Sequence, residues 1–150
     1  MGLAIIEYNP QHFFLIQREE EEQKCLEALF GTHNIALRLS QGWAATVINE
    51  KGKVLACLGI VDLWQGVGEA WMSADKGWLL SHRKTFLRLS RMLMVRTILR
   101  NNLERIQADI DQEALTSWIW AKHHGLCFEG LQRKYMAGRN FGRWAWTREG

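Results

Sequence analysis

The pattern of apolar and polar positions along the chain predicts alternating strands and helices. Short apolar or alternating segments predict strands at 3–8, 35–49, 53–63, 69–74, 104–110, 127–136 and 140–147. Longer segments predict one or two helices at 11–30 and single helices at 81–101 and 112–124. A hairpin meander therefore precedes a long helix, a β-α-β unit and a closing pair of strands. This order predicts a single α+β domain over residues 1–150, with a mixed central β-sheet flanked by helices.

Turn and capping residues place the ends of several elements. Asn9-Pro10 suits a helix start, because proline is favoured at the first helical position. The residues at 49–52 form a hairpin signal, and those at 75–77 are expected to open a loop. Ser81 is then the expected N-cap of the long helix, and Gly125 the C-terminal stop of the next one.

Composition narrows the class of protein. The chain has 150 residues, of which 47% are hydrophobic and 23% charged, as in a packed globular domain. No apolar run approaches the ~18 residues of a membrane span, so none is expected. Three widely spaced cysteines predict neither a disulfide framework nor a metal cluster. Eight tryptophans supply a large aromatic surface, either for the core or for a partner.

Charge is distributed unevenly. Residues 1–75 carry a net charge of −5 and residues 76–150 a net charge of +8. A basic half attracts an anionic partner, such as nucleic acid, a phosphate-bearing cofactor or an acidic protein, unless the two halves neutralise each other. Within the long helix, Lys84, Arg88 and Arg91 fall on one narrow stripe, which predicts a basic seam on an otherwise apolar helix.

Paired polar residues suggest chemistry in two further places. Asp109 and Asp111 share one face of a predicted strand, where they either position an amine or form an ordinary exposed edge. His123 and His124 point about 100° apart on a helix, so hydrogen bonding at the helix end is favoured over a shared metal. Neither pair predicts a metal site.

Two tryptophans on the last predicted strand raise the possibility of a partner surface. Trp144 and Trp146 are two residues apart, so their side chains lie on one face of the strand. If the last helix leaves that face uncovered, the pair forms a surface for self-association or for a partner. If the helix covers it, the pair belongs to the core.

The order of elements resembles the GNAT acyltransferase fold. A hairpin meander at 35–74 precedes a long helix at 81–101, and ERIQADI (104–110) supplies the following strand. The segment QEALTSWIWAKHHGLCFEG (112–130) is similar to the last helix of the family, and FEGLQRKYMAGRNFGRWAW (128–146) to its final strand pair. A narrower similarity, to small GNAT-like and internal virion proteins of short-tailed phages, rests on AWMS, DKGWLLSHRKTFLRL and KHHGLCF.

The resemblance implies an N-acetyltransferase-like protein of phage type that uses acetyl-CoA and an amine acceptor. Glu69 takes the position of the general base, with an ordinary outward-facing carboxylate as the alternative. Tyr135 is the one tyrosine of the C-terminal half that is available as a proton donor. The residues implied in cofactor binding are Met72, Ser73 and Ala74 at the thioester and Ser81, Arg83 and Lys84 at the pyrophosphate.

Departures from the family pattern favour a second interpretation. No glycine pair follows Gly77, although the family places its pyrophosphate turn there. Ala121 stands where the family has its usual tyrosine, and Ala114 where it has an asparagine. The alternative is therefore a catalytically inactive GNAT-like scaffold that contacts phage or host proteins, or itself as a homo-oligomer. Nucleic-acid binding ranks below both interpretations, and the expected location is the host cytoplasm or the virion.

Overall fold

The computed structural model describes residues 2–18, 20–27 and 32–149. Its strands are β1 (Ala4–Glu7), β2 (Gly42–Ile48), β3 (Val54–Trp64), β4 (Val67–Ala74), β5 (Arg105–Asp111), β6 (Cys127–Met136) and β7 (Arg139–Thr147). Its helices are α1 (Pro10–Phe14), α2 (Glu20–Glu27), α3 (Thr32–Arg38), α4 (Lys76–Ser81), α5 (Arg83–Asn101) and α6 (Leu115–His123). The predicted end of the helical region at Phe30 and Gly31 lies outside the described residues.

The seven strands form one mixed sheet in the order β1-β2-β3-β4-β5-β7-β6. Neighbouring strands are antiparallel except β4 and β5, which are parallel. The predicted α+β class with a mixed central sheet is confirmed. The order follows from the connections, because hairpins join the antiparallel neighbours β2-β3-β4 and β6-β7, whereas the crossover through α5 places β5 parallel to β4.

The helices cover the two faces of the sheet. On one face, α5 and α6 bury Phe86, Leu93 and Trp120 against the sheet. On the other face, α1 and α3 bury Phe13 and Ala36 over β2, β3 and β4. Each face therefore has its own apolar core, with the sheet between them.

The predicted hairpin at 49–52 and the predicted stop of the helix at Gly125 are both confirmed. The Asn49 side chain accepts hydrogen bonds from the backbone N–H groups of Lys51 and Lys53, which closes the predicted hairpin. Gly125 has φ +81°, and the N–H of Leu126 donates to the carbonyl of Ala121, so a Schellman motif ends α6. Each of these contacts joins residues at most five positions apart, which explains why the local sequence predicts the turn and the helix end.

The strand predicted at 35–49 is wrong over its first part. Residues 35–38 belong to α3, and β2 begins only at Gly42. Within IALRLS (35–40), Ala36 is fully buried and Leu37 is exposed, as α3 places them on different sides of a helix. The hydroxyl of Tyr8 donates to the carbonyl of Ala36 at 2.8 Å, which holds α3 against the strand-to-helix connection that precedes α1. Tertiary contact thus overrides the local alternation.

The loop predicted at 75–77 is also wrong, because α4 occupies this segment. The Asp75 carboxylate accepts a hydrogen bond from the N–H of Trp78 at 2.9 Å and caps α4. Ser81 is therefore the last residue of α4 and not the N-cap of the long helix, whose N-cap position is taken by His82. Trp78 is buried and stacks on the His82 ring, which holds the short helix in place.

The partner surface considered for Trp144 and Trp146 is not present, because α5 and α6 cover that face. Trp144 is 2% exposed and meets the ring of Trp118 on α6 at a centroid distance of 5.3 Å. Trp146 packs against the same core. The prediction that the two rings share one strand face holds, and that face is the interior one.

Candidate functional site

The parallel strands β4 and β5 separate soon after they meet. They pair at only three positions, from Val67 with Arg105 to Glu69 with Gln107. Beyond this point β4 continues to Ala74 and β5 to Asp111 without pairing to each other. The sheet therefore contains a V-shaped gap, with Glu69 at its apex.

The backbone of β4 turns alternate residues toward this gap. The N–H of Asp75 donates to the carbonyl of Leu55 on β3, so the odd-numbered residues of β4 direct their backbone groups at β3. By the same alternation, Met72 and Ala74 direct theirs at the gap. Ser73 does not, and its hydroxyl donates to Glu22 at 2.6 Å on the opposite face. Of the three residues predicted at the thioester, two have their backbone polar groups aimed at the gap.

A narrow apolar cleft adjoins the gap on the α5–α6 side. Met72 forms one wall, Phe86 of α5 and Trp120 of α6 form others, and Arg83 supplies a cation. The cleft has a volume of about 30 Å³, which is enough for water but far below the ~300–1,000 Å³ of a usual ligand pocket. An extended ligand arm entering here has to displace side chains of α4, α5 and α6.

The start of α5 combines cations with uncapped backbone. Within the described residues no side chain caps the helix at His82, and Arg83 and Lys84 are exposed beside it. Unsatisfied N–H groups and the helix dipole favour an anion at such an end. Ser81 is exposed too, but its hydroxyl donates to the carbonyl of Gly77 within α4. Arg83 and Lys84 are thus the better placed of the three predicted phosphate contacts.

Glu69 lies on the face opposite the cleft, toward α1 and α3. Burial raises the pKa of its carboxyl, the nearby Asp109 raises it further, and a hydrogen bond from Gln107 with the charges of Arg143 and Arg38 opposes the rise. Gln107 is directly across from Glu69 on β5, and its side-chain oxygen Oε1 accepts a hydrogen bond from Arg105 Nε at 3.0 Å. The amide nitrogen of Gln107 is therefore the donor to Glu69.

Asp109 accepts hydrogen bonds from the neighbouring strand β7 and from the edge strand β6 beyond it. Arg143 of β7 donates through Nε at 2.6 Å and Nη2 at 3.3 Å. From β6, Gln132 donates at 2.8 Å and the hydroxyl of Tyr135 at 2.9 Å. The Asp109 side chain is 11% exposed, so its charge is offset mainly by Arg143. The exposed-edge alternative for Asp109 is wrong, because β5 is an inner strand.

The same polar face continues along β5. The Asp111 carboxylate pairs with Arg139 of β7 at 2.5 Å, and Arg105 pairs with Glu129 of β6 through two hydrogen bonds. The arginines hold Asp109 and Asp111 apart as separate ion pairs. The pair considered as one amine-binding unit is therefore two sites, of which only Asp109 is close to Glu69.

Tyr135 lies at the edge of this network, on the side of the sheet away from the cleft. Burial, the hydrogen bond to Asp109 and the charges of Asp109 and Glu69 all raise the pKa of its phenol. Ala121, at the family's usual tyrosine position, is fully buried in the core. The role of Tyr135 as a proton donor stays a prediction, because its hydrogen is directed at Asp109.

Three members of the site were not singled out from sequence: Gln107, Gln132 and Arg143. Gln107 and Arg143 alternate with apolar residues along their strands, which indicates a polar face. The pairing of β5 with β7 brings Asp109 opposite Arg143 across 34 residues of chain. Nothing in the local sequence specifies that pairing.

Comparison with solved structures identifies the fold. The chain superposes on a GNAT-family acetyltransferase from Bacillus anthracis with a TM-score of 0.70 at 12% identity, covering 100% of this chain and 97% of that one. A ribosomal-protein-S5-alanine acetyltransferase from Vibrio fischeri gives 0.77 at 13% identity, covering 99% and 94%. A spermidine N-acetyltransferase variant from Vibrio cholerae gives 0.69 at 9% identity, covering 97% and 93%.

These similarities show that the chain has the GNAT fold over nearly its full length. No family model and no curated protein sequence matches it. None of the described helices is both long and apolar enough to cross a membrane. Within 2–18, 20–27 and 32–149, no group of three or more His, Cys, Asp or Glu side chains is arranged to hold a metal ion.

Proposed function

We propose that this chain is an acyl-CoA-dependent N-acyltransferase whose amine acceptor binds beside Glu69. One observation carries the proposal: a half-buried carboxylate with a raised pKa stands at the apex of the gap between β4 and β5. The gap connects the polar face, where an amine is attracted, with the apolar cleft behind it. The GNAT fold of the chain supports the same reaction class.

The residues around the gap fit an acyl-CoA in three respects. The unpaired edge of β4 offers backbone groups of Met72 and Ala74 to the amides and carbonyl of a ligand. The cleft walls are apolar, and Arg83 and Lys84 at the uncapped start of α5 suit phosphates. When bound, this cofactor supplies an activated thioester carbonyl. The N–H groups of Met72 and Ala74 are the donors for the charge that develops on its oxygen.

Glu69 removes a proton from the acceptor. A primary amine arrives as an ammonium ion, which the charge of Glu69 attracts, and must lose one proton before its lone pair is nucleophilic. The proton passes to the Glu69 carboxylate, whose raised pKa brings it closer to the working pH of a general base. The transfer would form the N–C bond of the amide and break the thioester C–S bond, and the leaving thiolate would take its proton from solvent. Gln107 fixes the carboxylate, while Asp109 increases its basicity through like charge.

Binding of acetyl-CoA is the first test. We expect isothermal titration calorimetry to detect it with the parent chain. The Arg83→Ala, Lys84→Ala double variant is expected to bind more weakly by roughly 2–4 kcal/mol, the scale of two lost charge-assisted contacts. Arg133→Ala with Lys134→Ala removes the same charge from β6 and serves as the control. Equal affinity in the parent and the α5 variant would place the phosphates elsewhere.

The second test is chemical. Release of free CoA is measured with a polyamine, a lysine peptide and a peptide with a free N-terminus as acceptors. We expect Glu69→Gln to lower the rate about 10²-fold at neutral pH, the usual contribution of a general base. Glu7→Gln on β1, far from the gap along the sheet, is the control. A Glu69→Gln rate within a few-fold of the parent would remove Glu69 from the mechanism.

A second candidate function is a phage virion or host-interaction scaffold without catalysis. Two observations favour it: α4 occupies the segment of the family's glycine turn, and buried Ala121 has no proton to donate. This candidate places the protein in the host cytoplasm or the virion, in contact with phage or host proteins or with its own copies. It predicts no binding of acetyl-CoA by the parent at millimolar concentration, so the first test separates the two candidates.

A further inference from the structure

A second concave site lies far from the proposed cofactor cleft. A groove of about 820 Å³ runs between the C-terminal half of α5 and the adjacent parts of β2 and β3. Its chemically distinctive residues are Trp43, Asp62, Arg96 and Arg100, and we name it the α5 groove. It begins at Leu93, about 15 Å along α5 from Arg83, given a rise of about 1.5 Å per residue. The two sites are therefore separable by mutation.

The positive charge of α5 is not neutralised within the part of the chain that the structure describes. Six cations project from this helix, and all six residues are exposed: Arg83, Lys84, Arg88, Arg91, Arg96 and Arg100. None of them forms an ion pair with a described carboxylate, and Arg91 donates to the backbone carbonyl of His123. The basic seam predicted from sequence is present, and intramolecular pairing does not account for it.

The α5 groove joins these cations to groups of two other kinds. Arg96 and Arg100 are one helical turn apart, so their guanidinium groups suit successive phosphates of an extended strand. The half-buried indole of Trp43 on β2 lines the same groove and offers a surface for stacking. The Asp62 carboxylate accepts hydrogen bonds, as from the exocyclic amino group of a base.

This combination distinguishes between anionic partners. An acidic peptide has carboxylates for Arg96 and Arg100 but offers no flat base to Trp43 and no exocyclic amino group to Asp62. A nucleotide strand uses all three groups, because it carries phosphates, flat bases and amino donors. Lys84 and Arg88 are also exposed on α5, but helical geometry places them roughly 80–160° around the axis from Arg96 and Arg100, so they lie outside the groove. We infer that the α5 groove binds single-stranded nucleic acid, with phosphates on the arginines and a base against Trp43 and Asp62.

Fluorescence anisotropy with labelled 20-nucleotide oligodeoxycytidine tests this inference. In 50 mM salt we expect Arg96→Glu with Arg100→Glu to weaken binding at least ~10-fold. The slope of log K against log salt should fall by about 1.4, the single-strand value for two phosphate contacts. Lys122→Glu with Arg133→Glu changes the net charge equally at other exposed positions and should stay within about threefold of the parent.

A comparison of oligodeoxycytidine with oligodeoxythymidine tests base recognition, because the two strands carry the same charge. Thymine has no exocyclic amino group, so oligodeoxythymidine should bind the parent more weakly than oligodeoxycytidine does. Asp62→Asn keeps the shape of the side chain and an acceptor oxygen but removes the charge, and its amide nitrogen can donate to thymine, so we expect it to reduce this preference. Polyglutamate and cytidine monophosphate are measured beside the two strands.

Several results would overturn the inference. These are no strand binding in 50 mM salt, equal weakening by the two double variants, and polyglutamate affinity equal to that of the strands. A monophosphate that binds as tightly as the 20-nucleotide strand would reduce the site to one for single nucleotides. Because none of these variants touches the gap between β4 and β5, the result is independent of acetyl-CoA binding.

Discussion

Acidification should weaken the core at His124, the C-cap residue of α6. Its Nε2 lies 2.7 Å from the hydroxyl oxygen of Ser90 on α5, and that oxygen accepts from the indole N–H of Trp120 at 3.1 Å. The Ser90 oxygen also lies 3.2 Å from the carbonyl of Leu87, and His124 Nε2 and Ser90 share one hydrogen bond in either ring tautomer. Nδ1 is buried and has no partner among the described residues.

Protonation of His124 is opposed by this environment. Burial lowers the pKa of the ring to about 4, and the nearby His123 and Arg91 contribute in the same direction. In the unfolded chain the pKa is about 6.5. The unfolded state therefore binds the proton first as the pH falls, and the native state loses stability between about pH 6.5 and pH 4.

The size of the effect follows from linkage. A difference of about 2.5 pKa units corresponds to about 3 kcal/mol once both states are protonated. At pH 5, where the unfolded ring is charged and the folded ring is largely neutral, the loss is already about 2 kcal/mol. That is a large part of the stability of an ordinary domain, which is about 5–15 kcal/mol.

Urea unfolding at pH 7.5, 6 and 5 measures this loss. His124→Gln retains a donor for Ser90 but does not titrate, so we expect its free energy of unfolding to fall by about 2 kcal/mol less than that of the parent over this range. His123→Gln removes the exposed neighbouring ring and should keep most of the parent's pH dependence. Equal losses in the parent and in His124→Gln would refute the assignment of a neutral, buried His124.

Two further changes test the site and the core. Asp109→Asn removes the charge that helps to raise the pKa of Glu69, so the acidic limb of the pH–rate profile should move to lower pH. An acidic limb that stays in place or moves to higher pH contradicts the proposed effect of Asp109 on Glu69. Trp144→Ala should lower the free energy of unfolding by about 3–5 kcal/mol because it empties a packed indole site. Urea unfolding checks this against Trp64→Ala, an exposed control expected within about 0.5 kcal/mol of the parent.

Features whose physical cause is local could be predicted from the sequence. The Asn49 hairpin, the start of α1 at Pro10 and the end of α6 before Gly125 depend on hydrogen bonds between residues at most five apart. The long helix α5 was predicted because helical spacing gives these residues one basic stripe, with apolar side chains around the rest of the helix. The basic seam could be predicted too, because helical geometry alone separates Lys84, Arg88 and Arg91 from the buried face.

Features that depend on a distant segment were decided only by the tertiary structure. α3 replaces a predicted strand because Tyr8, 28 residues away, anchors Ala36. Trp144 lies in the core because α6 covers its face of β7, and strand alternation alone does not specify which face is covered. For such residues the free energy comes from packing partners whose identity the local sequence does not encode.

The candidate site likewise has features that the sequence predicts and features that only the tertiary structure decides. Glu69 was identified by its position on the strand before the loop, and that expectation required only the order of elements. Its raised pKa, in contrast, depends on Asp109 and Arg143, which the strand order β4-β5-β7 brings beside it. Sequence alone placed Glu69, Asp109 and Tyr135 on their strands but did not single out Gln107, Gln132 or Arg143. The folded sheet decided which of them meet, because contacts between strands far apart in the chain exist only when the whole sheet has formed.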